Sequence, residues 1–427
     1  MSVLGFLILI LGILASIALH ELGHLTPAKL FGVYVPQYFI GFGKTLWSTV
    51  RGDTEYGVKA IPLGGFVRLG GMFPPTGGGR QTNRHGQPTL AAEARRASAE
   101  DVKGREDEAF YLLSVPKKLT VMFGGPAMNL VIAVVLAIIL IAGIGAPTYL
   151  NKVGTLAPCD GQVCAEGEAS PAEAGGLKVG DEILAWGGQE ASDWNDVREA
   201  IAAGSASPTE VRVLRDGAEL TLNITPVLAT RPVLDSSGQV VTENGTAVTR
   251  EIPYVGVGPE VGLEPGTAAD AIPYLGDMLW RTAGIIIRLP MKLFQLTDDF
   301  IHGDERAPDS IVGLVGVAQV AGQITGADIE GYTALERTAD LLNLLIALNI
   351  SLFAFNLLPL LPLDGGHIAG ALWEGLRRSW ARLRGRPDPG PVDTARLMPL
   401  SYAVALAFIA MTLLLIVVDI VNPVTLR

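Results

Sequence analysis

The sequence predicts a polytopic α-helical membrane protein with four transmembrane helices, a membrane-associated β-hairpin region and a separate soluble α+β domain. Three observations carry this reading. Of the 427 residues 49% are apolar, and four predominantly apolar stretches are long enough to cross a bilayer. A segment of alternating residues and glycine-rich turns follows the first stretch. A turn-rich segment with short strands and one helix separates the second stretch from the third. The net charge of −11, with no basic aromatic-rich patch, argues against nucleic acid as a partner.

The apolar stretches run from residue 3 to about 24, from 119 to about 144, from about 339 to 358 and from about 397 to 418. Residues 3–19 carry no charge. No basic leader region and no small-residue cleavage site precede His20, so the first stretch is expected to be a retained transmembrane helix rather than a signal peptide. The roughly ninety residues between the first two spans hold 13 Lys and Arg against 8 Asp and Glu. Six arginines, from Arg377 to Arg396, lie between the last two spans, and the long middle segment is acidic. The positive-inside rule then places the first and third connections in the cytoplasm, and both termini and the middle segment outside. The expected organisation is a first membrane half (1–148), a soluble domain (149–228), an appended hairpin and linker (229–270), an amphipathic surface helix with its connector (271–338) and a second membrane half (339–427).

Within the first half, residues 34–71 read as strands. Trp47-Ser48-Thr49-Val50, a turn at Arg51-Gly52-Asp53-Thr54 and the run 56–61 predict a hairpin. Pro62-Leu63-Gly64-Gly65-Phe66-Val67-Arg68-Leu69-Gly70-Gly71 follows. It reads either as a glycine-rich turn or as a strand edge able to hold an extended peptide. Residues 74–105, rich in Gly, Ala, Arg and Glu, are expected to form a mobile cytoplasmic loop in which His85 is solvated. Gly124-Gly125-Pro126-Ala127-Met128-Asn129 opens the second span. Its small residues allow close helix contact, and Asn129 is a polar group in need of a partner.

The middle segment starts with strand and turn signals. The run 170–184 leads through Gly175-Gly176 and Gly180 into a strand; a helix near 194–202 and strands at 209–214 and 219–224 follow. This pattern resembles a PDZ domain, a module that binds peptide ends by strand addition; the other reading is a domain that only excludes bulky substrates. Cys159 and Cys164, the chain's two cysteines, read as a small disulfide loop inside an insertion at 159–168 in preference to free thiols, given an extracytoplasmic setting. Residues 233–257 alternate around Ser236-Ser237-Gly238, which predicts an appended hairpin. The apolar run 271–300 is broken by Arg281, Arg288, Lys292 and Pro290, so it is expected to lie on the membrane surface rather than to span it.

The chemistry concentrates at the end of the first span. His20-Glu21-Leu22-Gly23-His24 is H-E-x-x-H. On a helix the two imidazoles leave one face and can share a zinc ion, while Glu21 sits where it can take a proton from water activated by that ion. The motif recurs by chance in roughly one chain of this length in a hundred, and two packed helix histidines are the plain alternative. No Glu follows His24 before Glu55, and Leu30 occupies the place of a metzincin's third histidine, so a third ligand must come from elsewhere. The third span ends in Asn356-Leu357-Leu358-Pro359-Leu360-Leu361-Pro362-Leu363-Asp364-Gly365-Gly366-His367. Prolines stop the helix and leave Asp364 at the depth of His24. It reads as an oxygen ligand that leaves the fourth metal position for water, or as the N-cap of the next helix, and the matched depth favours the ligand. His367 is a further candidate ligand, with a supporting role the better fit.

Together these motifs resemble the site-2 protease family, in its bacterial RseP-like branch of intramembrane zinc metalloproteases. The similarity runs over nearly the whole chain and includes Ile40-Gly41-Phe42-Gly43, Pro62-Leu63-Gly64-Gly65-Phe66 and Gly313-Leu314-Val315-Gly316. Two features depart from the family pattern. Leu361 stands where many relatives have proline, and there is one PDZ-like segment where some relatives have two. The resemblance implies zinc held by His20, His24 and Asp364, with Glu21 as catalytic base and Asn356 on the substrate or transition state. It also implies a substrate-presenting strand at Gly64, Gly65 and Phe66. The implied activity is regulated intramembrane proteolysis in a bacterial plasma membrane, on a pre-cleaved single-pass protein such as an anti-sigma factor or on remnant signal peptides. The protein is expected to act as a monomer in the lipid bilayer. A catalytically inactive PDZ scaffold is the rival reading. A transporter is a more distant one, since the chain shows no internal repeat.

Overall fold

The uncharged run near the N-terminus forms a single helix, α1 (Val3–Leu30), that carries straight through the H-E-x-x-H motif. Gly32, in the left-handed conformation at φ 77°, stops it. The computed structural model describes residues 3–75, 81–157, 168–232, 242–243, 246–247, 249–302, 311–326 and 333–422. Two strands follow α1: β1 (Gln37–Arg51) and β2 (Thr54–Arg68), joined by the turn at Gly52. Both are long enough to bend back on themselves. Gln37 to Ile40 pair with Glu55 to Val58 on one side and with Gly65 to Arg68 on the other. Gly65 to Arg68 thus form an edge to which no further strand is paired among the described residues.

Helix α2 (Leu90–Asp101) starts at Thr89, whose side chain accepts from Ala92 N–H. This corrects the expectation of a loop throughout 74–105. The helix has few large apolar residues, but it buries Arg95, whose guanidinium pairs with Asp393 at 2.5 Å. A contact 298 positions away gives a local pattern no sign of itself. Helix α3 (Val115–Ile138) continues through a wider turn to Ile144. It crosses α1 backbone to backbone: a Cβ on Gly124 would lie 2.0 Å from the Gly23 carbonyl oxygen. Pro27 has no N–H to give that carbonyl, which leaves room for the approach.

Residues Gly145–Pro265 form a compact unit of their own. It contains β3 (Ala146–Leu156), α4 (Pro171–Ala174), β4 (Glu182–Trp186), β5 (Gln189–Glu190), α5 (Trp194–Ala203), β6 (Thr209–Arg215), β7 (Ala218–Ile224), β8 (Val227–Pro232), β9 (Thr242–Glu243), β10 (Thr246–Ala247), β11 (Thr249–Tyr254) and β12 (Val257–Glu264). The main sheet runs β12-β3-β4-β6-β7 with β5 on β4, and Val153, Ile183, Trp186, Val197, Val211 and Ile224 fill its core. Strand β12 pairs with β3, so the sheet takes in residues beyond the 149–228 segment. β8 and β11 pair antiparallel as a hairpin whose tip, with Ser236-Ser237-Gly238, lies outside the described residues. Cys159 and Cys164 lie outside them too.

The chain then returns to the helical unit. Helix α6 (Ala271–His302) exposes Trp280, Ile287 and Phe294, and α7 (Leu314–Gly326) is short and apolar. α8 (Ala334–Asn356), α9 (Asp364–Leu383) and α10 (Met398–Val421) complete the fold. The buried Asp419 of α10 accepts a hydrogen bond from Gly316 N–H at 2.8 Å, which ties the start of α7 to the last helix. Among the described residues four helices are long and apolar enough to cross a membrane: Leu7–Leu30, Val115–Ile144, Ala334–Asn356 and Thr394–Val421. The protein is a membrane protein with four candidate spans and β-sheet regions.

Candidate active site

Helical spacing brings His20 and His24 onto one face of α1, and their Nε2 atoms are 3.3 Å apart. Asp364, the first residue of α9, presents Oδ2 at 3.3 Å from each of them. The N-cap position of α9 is taken by Leu363, so the Asp364 carboxylate faces the histidines instead of capping the helix. Among the described residues these three are the group able to hold a metal ion.

The donor set fits zinc. His24 Nδ1 is 2.8 Å from the Val121 carbonyl oxygen, which can only accept, so Nδ1 carries a proton and Nε2 is the ring atom left to face Asp364 and a metal. Asp364 Oδ2 is buried and has no hydrogen-bond donor. His20 Nε2, His24 Nε2 and Asp364 Oδ2 therefore converge on one point, two nitrogens and a carboxylate oxygen of the kind zinc takes. The 3.3 Å edges match the ligand-to-ligand spacing of about 3.3 Å expected when bonds near 2.0–2.1 Å leave zinc tetrahedrally. Gly125 of α3 supplies the floor: a Cβ there would lie 2.2 Å from His24 Nε2 and 2.7 Å from His20 Nε2.

A cavity of about 410 Å³ opens beside this triangle, lined by Glu21, Gly64, Gly65, Phe66, Asn129 and Asn356 among others. The edge of β2 runs against Glu21 so closely that a Cβ on Gly65 would lie 3.0 Å from Glu21 Cγ. Tyr38 docks the sheet on α1 by donating its hydroxyl to the Ala18 carbonyl at 2.7 Å. Burial first, and then the Glu21 charge, push the Tyr38 phenol up to about 12. Asn356 ends α8 at the cavity wall.

Asn129 is the residue the sequence left without a role. It is fully buried, lines the cavity, and both atoms of its amide lack a partner among the described residues. The signal was its polarity inside an apolar helix, and the cavity gives that signal a destination. His367 is turned elsewhere. Its ring packs on Phe73 at 6.4 Å, in a separate small cavity with Lys118 and Glu374, and burial lowers its imidazole to about 4.

Two imidazoles four positions apart on a membrane helix, a carboxylate delivered by the break after the third span and a further carboxylate at their side define a membrane-embedded metallohydrolase. The chain belongs to peptidase family M50, the site-2 proteases, which it matches over residues 8–386. It is 33% identical to zinc metalloprotease Rip1 of Mycolicibacterium smegmatis over 98% of both chains. It is 32% identical to zinc metalloprotease Rip1 of Mycobacterium tuberculosis over 100% of this chain and 99% of that one. With metalloprotease MmpA of Caulobacter vibrioides it shares 28% identity over 88% of each. The protein is thus a membrane zinc metalloprotease, and zinc is its cofactor.

Proposed function

We propose that the protein cuts peptide bonds within or near the transmembrane helix of a single-pass membrane protein already shortened outside by another protease. The observation that carries this reading is the converging triangle of His20, His24 and Asp364, with Glu21 and an unpaired strand edge on the same cavity. His20, His24 and Asp364 hold the metal. Bound zinc supplies a Lewis acid that polarises the scissile carbonyl and acidifies water. Glu21 takes the proton from the attacking water and returns it to the leaving amine. The edge at Gly64, Gly65 and Phe66 adds the unwound substrate as a strand, which satisfies its backbone groups away from water. The amides of Asn356 and Asn129 face the bound chain.

Anti-sigma factors and remnant signal peptides are the substrate classes that suit such a site. The charge pattern favours both termini and a PDZ-like 149–228 segment outside a bacterial plasma membrane, with the site near the cytoplasmic face. One chain carries every part named, which favours a monomer. The test is cleavage of a fluorescently tagged model transmembrane helix by the detergent-purified protein. Cleavage within the helix, abolished by a zinc chelator and restored by zinc, is expected. A zinc-loaded protein that cuts only soluble peptides would overturn the assignment.

A further inference from the structure

We infer that the groove between α9 and the start of α10 binds an anionic glycerophospholipid. This groove, of about 720 Å³, is larger than the active-site cavity and is lined by a different set of side chains. Arg377 and Arg396 stand on its walls, and Trp373, Leu397 and Leu400 form an apolar, half-exposed lining.

The charge balance in the groove favours an anion. Its one carboxylate, Asp393, is held by the buried guanidinium of Arg95 at 2.5 Å, so Arg396, 3.4 Å away, contributes charge beyond what Asp393 needs. Arg377 donates to the Pro389 carbonyl at 3.2 Å, and no carboxylate pairs with it among the described residues. Glu374, one turn before it on α9, is buried and engaged by Lys118 and Arg378. Two guanidiniums are left to share a phosphate, for which their planar donors are suited.

The apolar half of the groove selects a lipid over a free anion. Trp373 continues along α9 into Leu376, Trp380 and Leu383, all exposed. Exposed apolar residues and tryptophans mark a helix lying in the headgroup layer, where acyl chains meet the stripe and a phosphate meets Arg377 and Arg396.

The position of the groove gives binding a consequence. Pro359, Leu361 and Gly366 form its wall, and the next residues of that same segment, Pro362, Leu363 and Asp364, line the active-site cavity. A bound lipid braces the segment that presents Asp364. Anionic bilayers are then expected to raise proteolysis, an effect that rests on the function proposed above, whereas binding itself does not.

The test measures binding of a fluorescent short-chain phosphatidylglycerol to the full-length protein in uncharged detergent. The competitors are unlabelled phosphatidylglycerol, phosphatidylcholine and inorganic phosphate. Phosphatidylglycerol is expected to compete at least roughly tenfold better than phosphatidylcholine, and phosphate not at all at millimolar concentration. Arg377→Gln with Arg396→Gln should weaken binding roughly 30-fold, about fivefold for each guanidinium. The charge-keeping pair Arg377→Lys with Arg396→Lys should retain most of it, which separates the loss from misfolding. Arg382→Gln with Arg384→Gln, off the groove, should cost about twofold or less. Equal competition by the two lipids would overturn the proposal, as would full displacement by phosphate or an equal loss in the off-groove pair. Loss of protease activity with lipid binding intact would strike the proposed function and leave this site standing.

Discussion

Helix α3 buries two polar side chains three turns apart, and the fold treats them in opposite ways. Lys118 donates to both oxygens of Glu374, at 2.8 and 3.0 Å, and the same carboxylate also meets Arg378 and the backbone N–H of Val392. Every acceptor there is used. Asn129, along the same helix, has no partner for either amide atom, and Asp364 Oδ2 nearby has no donor. An unmade hydrogen bond in a buried site costs about 1–3 kcal/mol, so groups left this way are unfavourable for folding by themselves. The difference separates a polar cluster that fastens α3 to α9 from one whose unused groups suit the proposed metal and substrate.

The comparison is tested first at Glu21. Glu21→Gln keeps the size of the side chain and removes the base. Cleavage should fall by about a thousandfold while zinc content, measured by atomic absorption, stays at that of the parent. Thermal stability should hold or rise, since a half-buried carboxylate gives way to a neutral amide of the same size. Lost zinc would instead place Glu21 among the ligands.

Glu374→Ala should show the reverse pattern. It leaves the Lys118 ammonium buried without its partner, and breaking such a pair costs about 3–5 kcal/mol. A clear drop in the melting temperature is expected, with residual folded protein still cutting at a near-normal rate per bound zinc. If the melting temperature is unchanged, the cluster is not a fastening and the contrast fails.

Asn129→Ala sharpens the same contrast from the other side. Removing an unpartnered amide should leave stability within about 1 kcal/mol of the parent. The loss of a donor beside the reacting carbonyl should cost about a hundredfold in kcat. A stability loss without a rate loss would make Asn129 structural after all. Gly65→Ala is a milder probe: its added carbon would press on Glu21 Cγ and Ile17, and about tenfold slower cleavage with unaltered zinc is expected.

The contrast also explains what the sequence made legible. H-E-x-x-H needs only helical periodicity, which is local, so His20, Glu21 and His24 could be read directly. Prolines after the third span announced a broken helix and, with it, Asp364. Helix α5 and strands β6 and β7 lie within about a residue of the positions their patterns suggested, because caps and alternation are local too. Lys118 with Glu374, 256 positions apart, and Arg95 with Asp393 are settled by tertiary packing, and nothing near either residue announces its partner. The edge at Gly65 to Arg68 belongs to the same class. Its freedom arises because one bent strand pairs twice with another, so the sequence could offer it only as one of two readings.

Tyr38 offers the smallest and most local test. Its hydroxyl joins the β1 segment paired with the edge to the helix of Glu21 through the Ala18 carbonyl, so it positions the edge without touching the reacting atoms. Tyr38→Phe removes one hydrogen bond, worth about 1 kcal/mol. A fall of a few-fold in cleavage is expected, through a higher KM if the edge aligns substrate. The pH dependence gives a second reading. In the unfolded chain the phenol ionises near pH 10, while burial holds it protonated up to about 12 in the folded protein. The stability it contributes is therefore whole below pH 10 and declines as pH rises toward 12, because the unfolded state releases that proton first. The parent should lose stability over that interval more steeply than Tyr38→Phe. Equal slopes would mean that the hydroxyl is solvated and the edge is anchored by its neighbours alone.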